Sequence, residues 1–545
     1  MRLTPLVLAC LLVSPPALGQ AWSQENADPA NTGRLDRAGP TSLEDAQFTP
    51  VDDQVLTQVT EGPAGLALAG SLGGTVYAVD ASGEVVWQAD VADEIRTAPL
   101  WTGEVVVVVP RGDRVHAFTP EGEEAWTVPI ANDRGATLVR MASPVEHPSG
   151  DVIVGTMDGT VYRLTPQGST VWTTTIGEDD AVEATPAITP DGDVIAAAFE
   201  PGREGRGFLA RLDADTGERT WQLDIGSQVV GAPAVVADTV LVPLRDGNAV
   251  QARSLSDGSL IWETAFDSRV PASPSLHEGL AIVGDIRGTV RALEVSGGKI
   301  AWEFNPLSDD PDVELGGSGR YTIADSLAVD DEGVAWVPYW VFEAGCCPPS
   351  DSVRSPIYRL DADDGEILDR RSDAKANHGP ALHATGVWTG SDEQGVRSFP
   401  LDPSLQLDAR TDAGQARLIV NTDATGDWRV ATGDRSLDEG QGRPPTVSGY
   451  DLDPGQHNLT VTVDDLASQA TVEIEADDGD DDPARPEDQD PSAPTDDAEP
   501  EPEPSGEDEE PNTSEGGAED PQPAPLAAWA AWLAIGLAAG VRQRA

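Results

Sequence analysis

Trp87, Trp126, Trp172, Trp221, Trp262 and Trp302 stand 39, 46, 49, 41 and 40 residues apart, and each has a glycine four residues before it: Gly83, Gly122, Gly168, Gly217, Gly258 and Gly298. A proline after a small residue precedes most of these tryptophans, by about 28 positions at Pro99, Pro144, Pro233 and Pro274 and by 35 at Pro186. Self-similarity at this period marks a repeat architecture, in which one unit cannot bury its apolar faces alone and neighbours must stack. In the third unit Val152-Ile153-Val154 predicts a strand, Met157-Asp158-Gly159 a turn and Val161-Tyr162-Arg163-Leu164 the next strand; Pro166-Gln167-Gly168 turns the chain into Val171-Trp172. Four short strands in about 40 residues predict a β-propeller, whose radial closure protects the sheet edges.

Gly159-Thr160-Val161-Tyr162 recurs as Gly74-Thr75-Val76-Tyr77 and Gly288-Thr289-Val290-Arg291. This phrase, followed by Gly168 and Trp172, resembles the repeat of pyrroloquinoline-quinone-type (PQQ-like) propellers over roughly residues 22–402. The resemblance implies that each tryptophan docks between adjacent blades. The family holds both quinoprotein alcohol dehydrogenases and non-catalytic scaffolds such as the outer-membrane assembly lipoprotein, so it specifies fold and leaves activity open. Six Trp-bearing units precede a degenerate seventh, which keeps Tyr358-Arg359-Leu360-Asp361 and Gly365 without a tryptophan. An eighth begins at Asn377-His378-Gly379-Pro380 and lacks a fourth strand, which residues near 46–59 would supply by closing the ring. The expectation is an all-β, eight-bladed propeller over 20–402, with seven blades as the fallback.

Past Pro403 the repeat stops. Arg417-Leu418-Ile419-Val420, the alternating run 455–463 and Thr471-Val472-Glu473-Ile474 predict a small immunoglobulin-like β-sandwich over 403–475, suited to spacing or adhesion. Residues 476–523 hold 20 acidic residues, one arginine and no aromatic, the composition of a disordered, self-repelling stalk. At the amino end, Arg2, Leu6–Val13 and Ala17-Leu18-Gly19 compose a signal peptide over 1–19. At the carboxyl end, Pro525–Val541 carries no charge and Arg542-Gln543-Arg544 follow, so 524–545 predicts a transmembrane anchor or a cleaved sorting signal with a basic tail. The body is then exported, on the cell surface and anchored by its C-terminus. Asn458-Leu459-Thr460 and Asn512-Thr513-Ser514 fit glycosylation acceptors at Asn458 and Asn512.

Against 34 Lys and Arg stand 95 Asp and Glu, a net charge of −61, which excludes binding of nucleic acid through phosphate neutralisation. Removing the stalk's −19 leaves −42 on the rest, and Lys299 and Lys375 are the only lysines. Such a carboxylate-rich surface predicts adaptation to high salt, where screening relieves self-repulsion.

Four groups of residues invite a chemical reading. Cys346 and Cys347 are adjacent, and outside the cell they are expected to join in a vicinal disulfide. The resemblance to quinoprotein dehydrogenases implies that such a ring lies against PQQ, with Trp336, Tyr339 or Trp340 upstream to supply an aromatic plane; a loop-stiffening disulfide is the alternative. The segments entering each unit offer Arg96, Arg140, Glu183, Arg269, Arg320, Asn377 and His378, which face the channel mouth in propellers of this type. They either hold an anionic ligand or neutralise carboxylates of the protein itself. Asp213–Glu218 and Asp361–Glu366 suggest calcium loops but have the composition of hairpin turns. His378 and His383 form the one close histidine pair, expected as one core and one exposed residue. No catalytic residue and no metal site is assigned. The leading expectation is a non-catalytic surface protein binding a protein or a small anionic ligand without a cofactor. The alternative is a PQQ- and calcium-dependent dehydrogenase of alcohols or sugars.

Overall fold

A computed structural model describes residues 21–474, apart from 45, 132–140, 178–179, 202–204, 312, 314–319, 324, 343–354, 373, 377, 402–404, 413–414, 423–425, 433–434, 443–446, 451, 453–454 and 464–465. The expected signal peptide, stalk, C-terminal anchor, Arg140, Cys346, Cys347, Asn377 and Asn512 lie outside the described residues. Among the described residues no helix is long and apolar enough to cross a membrane. The chain divides into two compact units, Met1–Asp402 and Pro403–Ala545.

The first unit is all-β, a succession of four-stranded antiparallel meanders. The third sheet is typical: Val145–Glu146, Val152–Gly155, Thr160–Leu164 and Thr170–Thr175 pair in sequence order. Among the described residues seven sheets are built this way from Thr60 to Arg371. An eighth, Ala381–His383, Gly386–Ser391 and Gly395–Pro400, takes its fourth strand from Gln47–Pro50, which pairs antiparallel with Gly395–Ser398.

The core lies between the faces of successive sheets. Val145, Ile153 and Val161 of the third sheet pack on Ile188, Val194 and Ala196 of the fourth. Trp388 and Val396 of the eighth pack on Ala69 and Tyr77 of the first. Two-sided contact explains why the middle strands are apolar on both faces: Val152–Gly155 and Val194–Ala198 are buried throughout.

Each repeat tryptophan sits on a fourth strand and reaches the next sheet. Its indole Nε1 donates to a turn carbonyl there: Trp87 to Pro120, Trp126 to Pro166, Trp172 to Ala214, Trp221 to Leu255, Trp262 to Val295 and Trp302 to Ala362, all at 2.8–2.9 Å. The seventh sheet has no such tryptophan. There Asp369 and Arg371 instead grip the chain at Leu43, Asp369 Oδ2 accepting from the Leu43 amide at 3.1 Å and Arg371 donating to the Leu43 carbonyl at 2.8 Å.

The second unit contains a three-stranded and a four-stranded antiparallel sheet. Trp428 and Val430 on one strand, with Leu459 and Val461 on its partner, are buried at alternate positions. Asn458 lies in the strand Gly455–Val463 of this unit.

Candidate functional site

The first strand of a meander pairs on one side only, so its other row of N–H groups faces the axis of the unit and needs a partner. The chain supplies one itself. Residues 22–33 run past the first strands of seven consecutive sheets in order. The carbonyls of Trp22, Ser23, Pro29, Ala30, Thr32 and Gly33 accept from the amides of Glu61, Trp101, Ile188, Val235, Leu276 and Val329 at 2.6–2.9 Å. The Gln24 side chain accepts from the Glu146 amide at 3.0 Å. In five sheets the donor lies two residues after the repeat proline (Trp101, Glu146, Ile188, Val235, Leu276), which gives the proline spacing a reason: it holds one N–H per sheet at the same level.

This strap is itself locked. Asn31 is fully buried, and its Nδ2 donates to the carbonyls of Thr185, Pro186 and Pro233 at 3.3, 3.0 and 3.1 Å. Gln58 Oε1 accepts from the Trp22 indole at 3.2 Å and from the Asn26 amide at 2.7 Å. Asn26 and Asn31 adopt φ of 58° and 57°, which asparagine tolerates better than most residues, and let the strap curl.

The loops entering the sheets form a second layer. The residue before the repeat proline donates its amide to the hydroxyl of its counterpart in the next sheet: Ala98 to Ser143 at 2.9 Å, Ser143 to Thr185 at 3.0 Å and Ala232 to Ser273 at 2.9 Å. These links set the entering loops side by side, and Arg96, Glu183, Arg269 and His378 on them are committed to partners. Arg96 is buried, with Nε 2.9 Å from Glu94 Oε2, and Arg111 approaches the same oxygen at 3.3 Å. Burial would raise the Glu94 carboxyl, but the two guanidiniums outweigh it and hold the group below its ordinary range. His378 places Nε2 3.1 Å from Asp392 Oδ1 and Nδ1 3.6 Å from Asp325 Oδ2, and Trp340 meets its ring edge-on at 5.3 Å. Burial opposes its proton, yet the two carboxylates prevail and raise its pKa. Glu183 is buried, Arg269 is half-buried, and neither is a free charge. Arg320 begins the short strand Arg320–Thr322.

One expectation needs correction. His383 is not the exposed member of a histidine pair: both are buried, and His383 Nε2 lies 2.9 Å from the Val59 carbonyl. Trp336 and Tyr339 are fully buried in the core, Trp336 donating to Asp330 at 3.1 Å, so neither offers a stacking plane. Asp213 and Asp361 accept from amides of their own turns, and Asp363 meets His277 Nε2 at 3.1 Å. Sequence reasoning missed the strap, Asp325, Asp392 and Glu146.

Glu146 lines a cavity of about 560 Å³ between the strap and the third and sixth sheets, shared with Asp28, Arg34, His147 and Leu276. Burial pushes its carboxyl up to about 7.

The family described as outer membrane protein assembly factor BamB, of the PQQ repeat type, matches residues 16–203 and 205–391. The chain belongs to this family. Assembly factor BamB of Bordetella pertussis is 28% identical over 240 residues, 42% of this chain and 59% of the relative. That of Burkholderia pseudomallei is 28% identical over 249 residues, 43% of this chain and 61% of the relative. The chain thus spans about three-fifths of the length of these BamB relatives. A 1-butanol dehydrogenase (cytochrome c) of Thauera butanivorans is 28% identical over 119 residues, 19% of this chain and 17% of that enzyme. The crystal structure of BamB from Moraxella catarrhalis aligns at 18% identity and a TM-score of 0.45, covering 65% of this chain and all of that one.

Proposed function

We propose that this protein is a non-catalytic binding scaffold displayed at the cell surface: an eight-bladed propeller, an immunoglobulin-like spacer, an acidic stalk and a C-terminal membrane attachment. The eight four-stranded sheets, the last completed by Gln47–Pro50, support the blade number. The observation that carries the functional reading is the strap, because first-strand N–H groups already paired with the chain's own residues are not free to hold a cofactor. The entering loops add to this, since Arg96 and His378 spend their charge on Glu94, Asp325 and Asp392. What remains for recognition is the outer surface and its loops, and the relatives' name, an assembly factor, points to a protein as partner.

The test is reconstitution of the full chain with PQQ and calcium, followed by dye-reduction assays with alcohols and sugars. No PQQ-dependent turnover is expected. Saturable turnover lost on Cys346→Ala/Cys347→Ala substitution establishes the dehydrogenase instead.

A further inference from the structure

We infer that the cavity between the strap and the third sheet is a binding site for a small organic cation, a primary ammonium on a short apolar body, held by the carboxylate of Glu146. The cavity's five titratable side chains decide this. Asp28 accepts from the Ala30 and Thr32 amides at 2.9 and 3.2 Å and from the Thr32 hydroxyl, so its carboxylate is saturated from within the strap. Asp36 stands at the rim, 84% exposed, with Arg34 Nη2 3.3 Å away. Both nitrogens of His147 are occupied, by Ser149 Oγ at 2.8 Å and the Gly192 carbonyl at 2.9 Å, and burial lowers its pKa, so it is neutral. Glu146 alone has no partner for its carboxylate among the described residues; its amide is fixed by Gln24, and desolvation is what disturbs its titration.

A half-buried carboxylate without a partner is costly, and a cation that enters the cavity removes that cost by charge-assisted hydrogen bonding. Ala27, Pro29, Leu35, Pro148 and Leu276 give much of the wall, beside the polar Gln24, Thr32 and Arg34, an apolar surface that suits an alkyl body rather than a hydrated metal ion. The net charge of −61 raises the local concentration of any cation. The site is independent of the scaffold reading.

The experiment is calorimetric titration of the full chain with n-pentylammonium, with 1-pentanol as the uncharged control. One-to-one binding of the ammonium is expected, tightening as the pH rises through about 7, where Glu146 ionises. Glu146→Gln should weaken it by about tenfold or more, the scale of one lost charge-assisted contact. The pentanol should bind wild type and variant alike. Equal ammonium affinity in wild type and Glu146→Gln, or heats that never saturate, overturn the site. A second readout needs no variant: bound n-pentylammonium must lower the titration midpoint of the Glu146 carboxyl followed by NMR, and an unchanged midpoint refutes the proposal.

Discussion

Gly217 stands against the indole of Trp172, a residue of the preceding sheet: a β-carbon on Gly217 would fall 2.6 Å from the ring carbon Cδ2. The glycine four residues before a repeat tryptophan therefore serves the tryptophan of the sheet before it, except at Gly83, where an added β-carbon would meet Thr49 Oγ1, and at Gly258, where it would meet Leu223 before Trp221. The same contact joins Gly122 to Trp87, Gly168 to Trp126, Gly298 to Trp262 and Gly365 to Trp302. Gly217 also has φ +69°, so its side-chain-free state answers two requirements at once.

Gly217→Ala is accordingly expected to destabilise the protein by about 2–4 kcal/mol, combining left-handed strain with a clash against a ring that cannot retreat. Gly226→Ala is the control. Its φ is +66°, but nothing lies within 4 Å of the added carbon, so only the conformational part, about 1 kcal/mol, should appear. Urea denaturation of both variants measures the difference.

Asn31→Ala leaves three buried carbonyls, of Thr185, Pro186 and Pro233, without the amide that joins the fourth and fifth sheets to the strap. A loss of about 2–3 kcal/mol is expected, on the scale of buried groups stranded without partners. Thermal unfolding of the variant, with and without the complementary Gln58→Ala change at the strap's start, shows whether the two anchors act together.

Two groups displaced by desolvation give opposite pH dependences in overlapping windows. His383 has its pKa lowered by burial to about 4, so the unfolded chain takes up the proton first. Its contribution is complete above the unfolded value of about 6.5 and is lost as the pH falls towards 4, about 3 kcal/mol in all. Glu146 is raised to about 7, so stability is lost as the pH climbs from its ordinary range through 7. His383→Gln should flatten the acid limb of a stability–pH curve, and Glu146→Gln the neutral limb. Variants that leave both slopes unchanged contradict these assignments.

A net charge of −61 makes the compact state repel itself, and the screening length shortens from about 30 Å at 0.01 M salt to about 3 Å at 1 M. The melting temperature should rise steeply over that range and level off once screening is complete. A flat dependence removes the argument for a salt-adapted surface.

The repeat was legible because each unit restates one contact: glycine, tryptophan and turn carbonyl recur at fixed offsets, and Gln47–Pro50 falls within the stretch predicted to complete the last sheet. The committed state of the entering loops was partly legible, since neutralisation of the arginines by the protein's own carboxylates was one of two readings. The strap was not legible. It binds through backbone carbonyls and the amides of Gln24 and Asn31, and a run of small and polar residues with single turns at positive φ has no hydrophobic period to betray it. Nor does sequence spacing say that Asp325 and Asp392 converge on His378, or that His383 is packed beneath Val59, because those contacts arise only when the eighth sheet meets the first and seventh.

The most direct test of the account is native-state hydrogen exchange at the amides of Ile188, Val235 and Leu276, which point to the axis and are paired only with the strap. If residues 22–33 cap the first strands, these amides exchange as slowly as those of the second strands in the same sheets, and the protection collapses in Asn31→Ala. Exchange at the rate of a solvent-facing edge strand, beside protected second strands, would show an open channel and return the axis to a cofactor or substrate.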